Sequence, residues 1–166
     1  MDFPRTKELL LRVPAEPWAP GAVAAIWNTE NKATPWIMAV GDRRSEPSKE
    51  PLGIDTVFDL ASLTKPLVTT TLVARLIERG YLEWRTSIRT IFPDATPQWE
   101  SIEIWHLLSH TAGFQAWSPF WQKLQEQFGE KLSETSIRRR QQAMRREVFL
   151  QMPQSSPGAR TVYSDI

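Results

Sequence analysis

A serine and a lysine three residues apart, Ser62 and Lys65, stand at the mouth of a helical run in the segment "DLASLTKPLVTT". A serine hydroxyl is a poor nucleophile until a base takes its proton. Residues i and i+3 share a helix face, so a lysine at i+3 can bring its amine against the hydroxyl at i. A free lysine has a pKa of about 10.4 and is protonated at neutral pH, but burial disfavours the charged form and can leave the amine neutral and basic. A helix N-terminus adds partial positive charge near the Ser62 backbone N–H, which suits a developing oxyanion. A second oxyanion donor has to come from elsewhere. The competing reading is an ordinary helix start with a surface lysine. A chain of this length holds on the order of one S-x-x-K match by chance at usual composition.

The helix that must position this pair is predicted over 62–79, where Leu67, Leu72, Val73, Leu76 and Ile77 recur at helical spacing and Gly80 supplies the stop. Pro66 fits only in the first turn, where a missing N–H costs least, and this fixes Ser62 and Lys65 at the N-terminus. Lys65 is also restrained by the proline that follows it. Upstream, "GAVAAIWN" (21–28) and "PWIMAVG" (35–41) flank the polar "TENKAT" and predict a β-hairpin. "DRRSEPSKEPLG" reads as a surface loop. Downstream, "YLEWRTSIRTIFPD" predicts a short helix or turn ending at Pro93, and "WESIEIWHLLSHTAGF" a second helix closing at Gly113. Residues 134–151 predict a third, with Ile137, Met144, Val148 and Phe149 facing inward. "PQSSPGAR" is a loop and "TVYSDI" follows it. No internal repeat or linker divides the chain, so a single domain over 1–166 is expected.

Read with its neighbours, "VFDLASLTKPL" resembles the nucleophile segment of the serine β-lactamase and penicillin-binding-protein superfamily, closest to its class C, D-alanyl-D-alanine carboxypeptidase and esterase branch. "IWHLLSHTAGF" is similar to the "hLLsHtSGl" segment of that branch, and "SPGARTVYSDI" to its second active-site motif, a Pro-Gly turn followed by Tyr-Ser-Asn or Tyr-Ser-Asp. "PGAVAAIW" matches its opening strands, so the resemblance runs from about residue 19 onward in the family's order. It implies an α/β (α+β) fold of β-lactamase/transpeptidase type. Ser62 would be the acylated nucleophile and Lys65 its base or proton relay. Tyr163 would be the second base, held near Lys65 and passing the proton to the leaving group. A cation beside the phenol favours its charged form, and the two would titrate together. Asp165 stands at a substrate-binding position where many relatives have asparagine. An asparagine amide can donate to a substrate carbonyl and an ionised aspartate cannot, which disfavours a β-lactam specialist.

Relatives carry a third motif, Lys-Thr-Gly or a His- or Trp-led variant ending in glycine, on a strand that supplies the second oxyanion N–H. No K-T-G occurs here, and "HTAG" at His110 to Gly113 belongs to the earlier segment. The expectation is an N-terminal portion of a family member, with a hairpin and helical region but without the C-terminal sheet strands. A second chain completing the fold is then a candidate partner, and the isolated chain is expected to be a weak or inactive serine hydrolase. Its substrate would be a small-molecule ester, amide or β-lactam. The rival is a non-catalytic remnant or interaction module of the same fold.

The totals agree with a soluble globular protein: 166 residues, 41% hydrophobic and 23% charged, with a net charge of +1 that favours neither nucleic acid nor membrane. The absence of cysteine removes disulfides, thiolate catalysis and Cys-based zinc sites. No secretory leader or spanning run is seen, so a cytoplasmic location is expected. Eight tryptophans suggest a broad interior. His106 and His110 are spaced as metal ligands on a helix, but Leu107 stands where a zincin needs glutamate, and the better reading has His110 bracing the loop at Gly113. No metal or organic cofactor is expected. Arg138, Arg139, Arg140, Arg145 and Arg146 read as a solvated helix face, the alternative being nucleic-acid binding. The aromatic "FQAWSPFWQKL" suits a cleft wall or core packing equally.

Overall fold

The two apolar runs near the start pair as antiparallel strands, β1 (Gly21–Ile26) and β2 (Trp36–Arg44), in a register from Gly21 opposite Gly41 to Ile26 opposite Trp36. The predicted hairpin is thus present. The computed structural model describes residues 3–29, 34–129 and 133–166, so most of the turn "TENKAT" lies outside the described residues. The segment read as a surface loop is in part strand. β2 runs on through Arg44, and β3 (Glu50–Pro51) pairs with it after a register shift between Asp42 and Arg44. The physical reason is charge pairing across the ladder: the Glu50 carboxylate accepts from both Arg43 and Arg44. The sheet order is β1-β2-β3. Before it comes α1 (Pro4–Arg12), a helix that the sequence reading did not foresee, opened by proline in its first turn.

These elements belong to one compact unit, ending at Ala61; a second runs Ser62–Ile166. The second unit is helical: α2 (Thr71–Glu78), α3 (Ile88–Ile91), α4 (Ile104–Leu108), α5 (Phe120–Phe128) and α6 (Ile137–Phe149). The fold is therefore mixed α/β, helices with a small antiparallel sheet. Among the described residues no helix is long and apolar enough to cross a membrane.

The predicted helix over 62–79 is three conformations in series. A 3-10 turn (Ala61–Leu63) leads to a π-helical segment (Lys65–Thr70) and then to α2. Gly80 ends it as expected, left-handed at φ 73, with Gly80 N–H donating to Ile77 O and Tyr81 N–H to Leu76 O. The inward face is narrower than the spacing suggested: Val73 packs on the core, whereas Leu67, Leu72 and Leu76 are exposed.

The core of this unit is Ile88, Ala95, Trp99, Ile102, Ile104, Ala112 and Phe114, with Ile102 wholly buried. A short antiparallel bridge between Ser87 and Glu103 draws α3 and α4 together, with Ile88 N–H donating to Ile102 O and Ile104 N–H to Thr86 O. Val148 and Phe149 of α6 pack against this core as predicted, but Ile137 is exposed, because the first turn of α6 lies beyond the core's edge.

The predicted second helix is the short α4, and it closes before Gly113. Its cap is Ser109, and His110 takes the left-handed turn at φ 56. Gly113 has a different task. It sits at φ 90 where a Cβ would come within 2.2 Å of Ser155 O, and its own carbonyl accepts from Gln154 N–H at 2.8 Å. Gly113→Ala combines a conformation that L-residues avoid with a backbone clash, and is expected to cost more than about 1 kcal/mol. A lowered urea midpoint together with faster exchange of the Gln154 amide would show it.

Candidate active site

Two segments of the second unit lie side by side and carry the site. The first is the chain after α4, residues 110–116; the second is 154–166. Backbone bonds lace them together: Gly158 N–H to Thr111 O at 2.8 Å, Val162 N–H to His110 O at 2.9 Å and Asp165 N–H to Ala116 O at 3.0 Å. Ser164 is buried, and its Oγ donates to Gln115 O at 2.6 Å while accepting from Ile166 N–H at 3.1 Å. The alternation this enforces turns Ser164 inward and leaves Tyr163 and Asp165 partly exposed on the other side.

Tyr163 and Asp165 meet Lys65 there, although a hundred positions separate them along the chain. Lys65 Nζ donates to Asp165 Oδ1 at 2.8 Å and lies 5.1 Å from the centre of the Tyr163 ring. The hydrogen bond to Asp165 is the strongest influence on this lysine and raises its affinity for the proton. Partial burial works in the opposite direction and is outweighed, and the Tyr163 hydroxyl adds to the effect of Asp165. Lys65 is therefore an ammonium held above its ordinary range, the reverse of the lowering that burial produces.

Ser62 lies in the 3-10 turn, exposed, three residues before Lys65. Among the described residues the lysine's ammonium is bonded to Asp165 and not to the Ser62 hydroxyl. The structure thus brings together Lys65, Tyr163 and Asp165, and leaves the Ser62 hydroxyl on the same turn without joining it to them. Asp165, with Oδ1 engaged by Lys65, presents an acceptor rather than a donor.

A cavity of about 310 Å³ opens beside the pair, with Lys65, Ser164 and Asp165 among its polar lining and Phe92, Trp99 and Phe114 among its apolar walls. Of the aromatic stretch after α4, Phe114 is in the core, and Trp117 and Trp121 are exposed.

Each of the two histidines accepts a backbone N–H through Nδ1. His106 Nδ1 accepts from Glu103 N–H at 3.0 Å in a reciprocal cap at the start of α4. His110 lies beyond the helix, so the helical i, i+4 geometry assumed for a metal pair does not form. Its Nδ1 accepts from Ser164 N–H at 3.2 Å and its ring lies 4.5 Å from that of Tyr163. The sequence reading placed His110 at the Gly113 loop and missed its contact with the Tyr-Ser-Asp triplet. Of the arginines, Arg145 pairs with Asp94 at 2.8 Å and lies over the rings of Phe92 and Phe149.

Comparison with known proteins gives the same segments a context. A family model described as Beta-lactamase matches residues 8–166. The esterase EstB of Burkholderia gladioli is 38% identical over 72 residues, which is 40% of this chain and 18% of that protein. The match thus spans less than a fifth of that relative's length. No solved structure matches. With the family model covering the two strands, the serine–lysine turn and the Tyr-Ser-Asp segment, the chain belongs to the beta-lactamase family.

Proposed function

We propose that the chain carries the acyl-transfer chemistry of a serine hydrolase, with Ser62 as nucleophile and Lys65 and Tyr163 as its proton-handling pair. The observation that supports it most is the meeting of Lys65, Tyr163 and Asp165 one turn from Ser62. In the reaction Ser62 Oγ bonds to the carbonyl carbon of an ester. The bond from that carbon to the alcohol oxygen breaks, and the alcohol departs with the proton that left Ser62. Water then releases the acid and restores the hydroxyl. An ester is the favoured substrate class, in keeping with the name of the EstB relative and with the acceptor character of Asp165. The apolar cavity beside Lys65 suits a small to medium acyl group.

The same pairing makes the chain a slow catalyst at neutral pH. Lys65 can accept the Ser62 proton only after losing its own, which Asp165 opposes. Incubation with a p-nitrophenyl ester, followed by peptide mass mapping, tests the proposal. One acyl group is expected on the peptide containing Ser62, formed faster at about pH 9.5, nearer the lysine range, than at neutral pH. Absence of any adduct on that peptide at both pH values would sink it. It would favour the reading of a non-catalytic module, for which the exposed, unactivated Ser62 is the supporting observation.

Asp165→Asn supplies a second check. Removing the carboxylate eases deprotonation of Lys65, so acylation near neutral pH is expected to rise up to about fivefold, the scale of a half-exposed ion pair worth at most about 1 kcal/mol. Stability moves the other way. A lysine held above its ordinary value stabilises the folded chain fully below about pH 10.4, and the gain is lost as pH rises through the raised value. Asp165→Asn should therefore lower the urea midpoint slightly at neutral pH and leave it unchanged in strong alkali.

A further inference from the structure

Helices α2 and α4 end in the same backbone motif with different residues at its critical place. After α2, Gly80 is left-handed at φ 73, with Gly80 N–H to Ile77 O and Tyr81 N–H to Leu76 O both at 2.9 Å. After α4, His110 is left-handed at φ 56, with His110 N–H to Leu107 O at 3.1 Å and Thr111 N–H to His106 O at 2.8 Å. A Cβ in this conformation crowds the neighbouring carbonyl, so glycine is the usual occupant and asparagine the usual substitute. The helix ending itself makes no use of an imidazole. A strained side chain held by its surroundings points to a task that glycine could not perform.

His110 touches three successive residues, Val162, Tyr163 and Ser164, the last two in the Tyr-Ser-Asp triplet. Its carbonyl accepts from Val162 N–H at 2.9 Å, its ring lies 4.5 Å from the Tyr163 ring at 37°, and its Nδ1 accepts from Ser164 N–H at 3.2 Å. The last contact requires a lone pair on Nδ1, which leaves the ring proton on Nε2; a doubly protonated ring could not accept. Tyr163 is 53% exposed, so burial does not fix its direction. The imidazole on its ring and the two amides beside it do.

We infer that His110 is the positioning residue for Tyr163, fixing the direction from which the phenol faces Lys65 by gripping the amides on either side and packing against the ring. For its kinetic consequence the inference rests on the acyl-transfer reading above; its geometric content does not.

The test uses the full chain carrying Tyr81→Phe, which leaves Tyr163 as the one tyrosine, and adds either His110→Gly or His110→Asn. Glycine keeps the helix ending and relieves the strain, but removes the acceptor and the ring. Asparagine keeps tolerance of the left-handed turn and a side-chain carbonyl acceptor, without the ring. NMR of ¹³C-labelled tyrosine is expected to show Tyr163 displaced by the imidazole ring current in the parent and moved toward a solvent-exposed position in both variants. Ser164 amide exchange should quicken about tenfold in the glycine variant and recover in the asparagine one. Acylation of Ser62 should fall about tenfold in kcat with KM unchanged in the glycine variant, and recover in part with asparagine. A purely structural histidine predicts the opposite for glycine: equal or greater thermal stability and unchanged kinetics. Unmoved Tyr163 and Ser164 signals in the glycine variant would overturn the inference, and so would a wild-type acylation rate there. If the signals move as expected while no form of the chain acylates, the acyl-transfer reading fails and the positioning role stands.

Discussion

Ser62→Ala is expected to bring covalent labelling by an activated ester to zero and the rate of ester cleavage down to that of buffer. The chemistry leaves no substitute. In the proposed reaction the acyl group passes through an oxygen whose proton Lys65 or Tyr163 takes, and the alternatives nearby are unsuitable. Thr64 and Thr69 flank Lys65, but a secondary hydroxyl on a β-branched residue is hindered and fixed by its rotamer. Ser164 is buried with its hydroxyl committed to Gln115 O. Where residues act as one unit, removing the nucleophile alone costs about as much as removing the unit, on the order of 10⁶-fold in a well-studied serine protease. Here the loss is bounded by the slow parent rate expected on the proposed reading. The decisive reading is therefore the adduct, which mass spectrometry sees as present or absent. A labelled peptide that persists in Ser62→Ala, at the site labelled in the parent digest, would show that the nucleophile is another residue.

Much of this site was legible in the chain because its parts carry strong local signals. A proline directly after Lys65 and a glycine at position 80 bracket the helical run that bears the lysine, and both act through backbone sterics that hold in any fold. The hairpin was legible for the same reason, apolar runs separated by a polar turn. What escaped depends on contacts between distant residues. The strand continuation at Arg43 and Arg44 needs Glu50 opposite, and a stretch rich in proline, serine and charge gives no sign of that pairing. The narrow inward face of α2 follows from its meeting the core through Val73, which periodicity does not convey. Glycine marks helix ends so regularly that Gly113 predicts the end of α4, whereas a histidine, His110, makes the turn three residues earlier. The protonation of Lys65 likewise depends on a distant partner. Burial pulls its proton affinity down, and the placement of Asp165 against it, with Tyr163 beside, reverses the sign. Position 165 was recognised as unusual, but a sequence does not show which partner a carboxylate will find.

Trp99→Ala is expected to be the most destabilising single change in the second unit, by about 3–5 kcal/mol for a buried tryptophan truncated to alanine. Trp99 is 4% exposed, and its ring stands 4.9 Å from that of Phe114 and 5.6 Å from that of Phe149. It thereby joins the segment after α4 to the end of α6. Its Nε1–H donates to Gln151 O at 2.8 Å, the first residues of the path that leads from α6 to Tyr163. Truncation opens a cavity between the rings of Phe114 and Phe149 and strips the Gln151 carbonyl of its donor, and both losses add. Trp99→Phe separates them: it retains most of the ring and should lose about 1–2 kcal/mol, mainly from the missing N–H. Far-UV circular dichroism in urea reads both, since seven other tryptophans would confuse fluorescence. The consequence for the site is specific. Because Gln151 precedes the laced segment 154–166, amide exchange at Gly158 and Val162 should quicken in Trp99→Ala in step with the loss of stability. A truncation costing less than about 1 kcal/mol, below the range for buried aromatic side chains, would mean that this ring does not join the core to the segment bearing Tyr163.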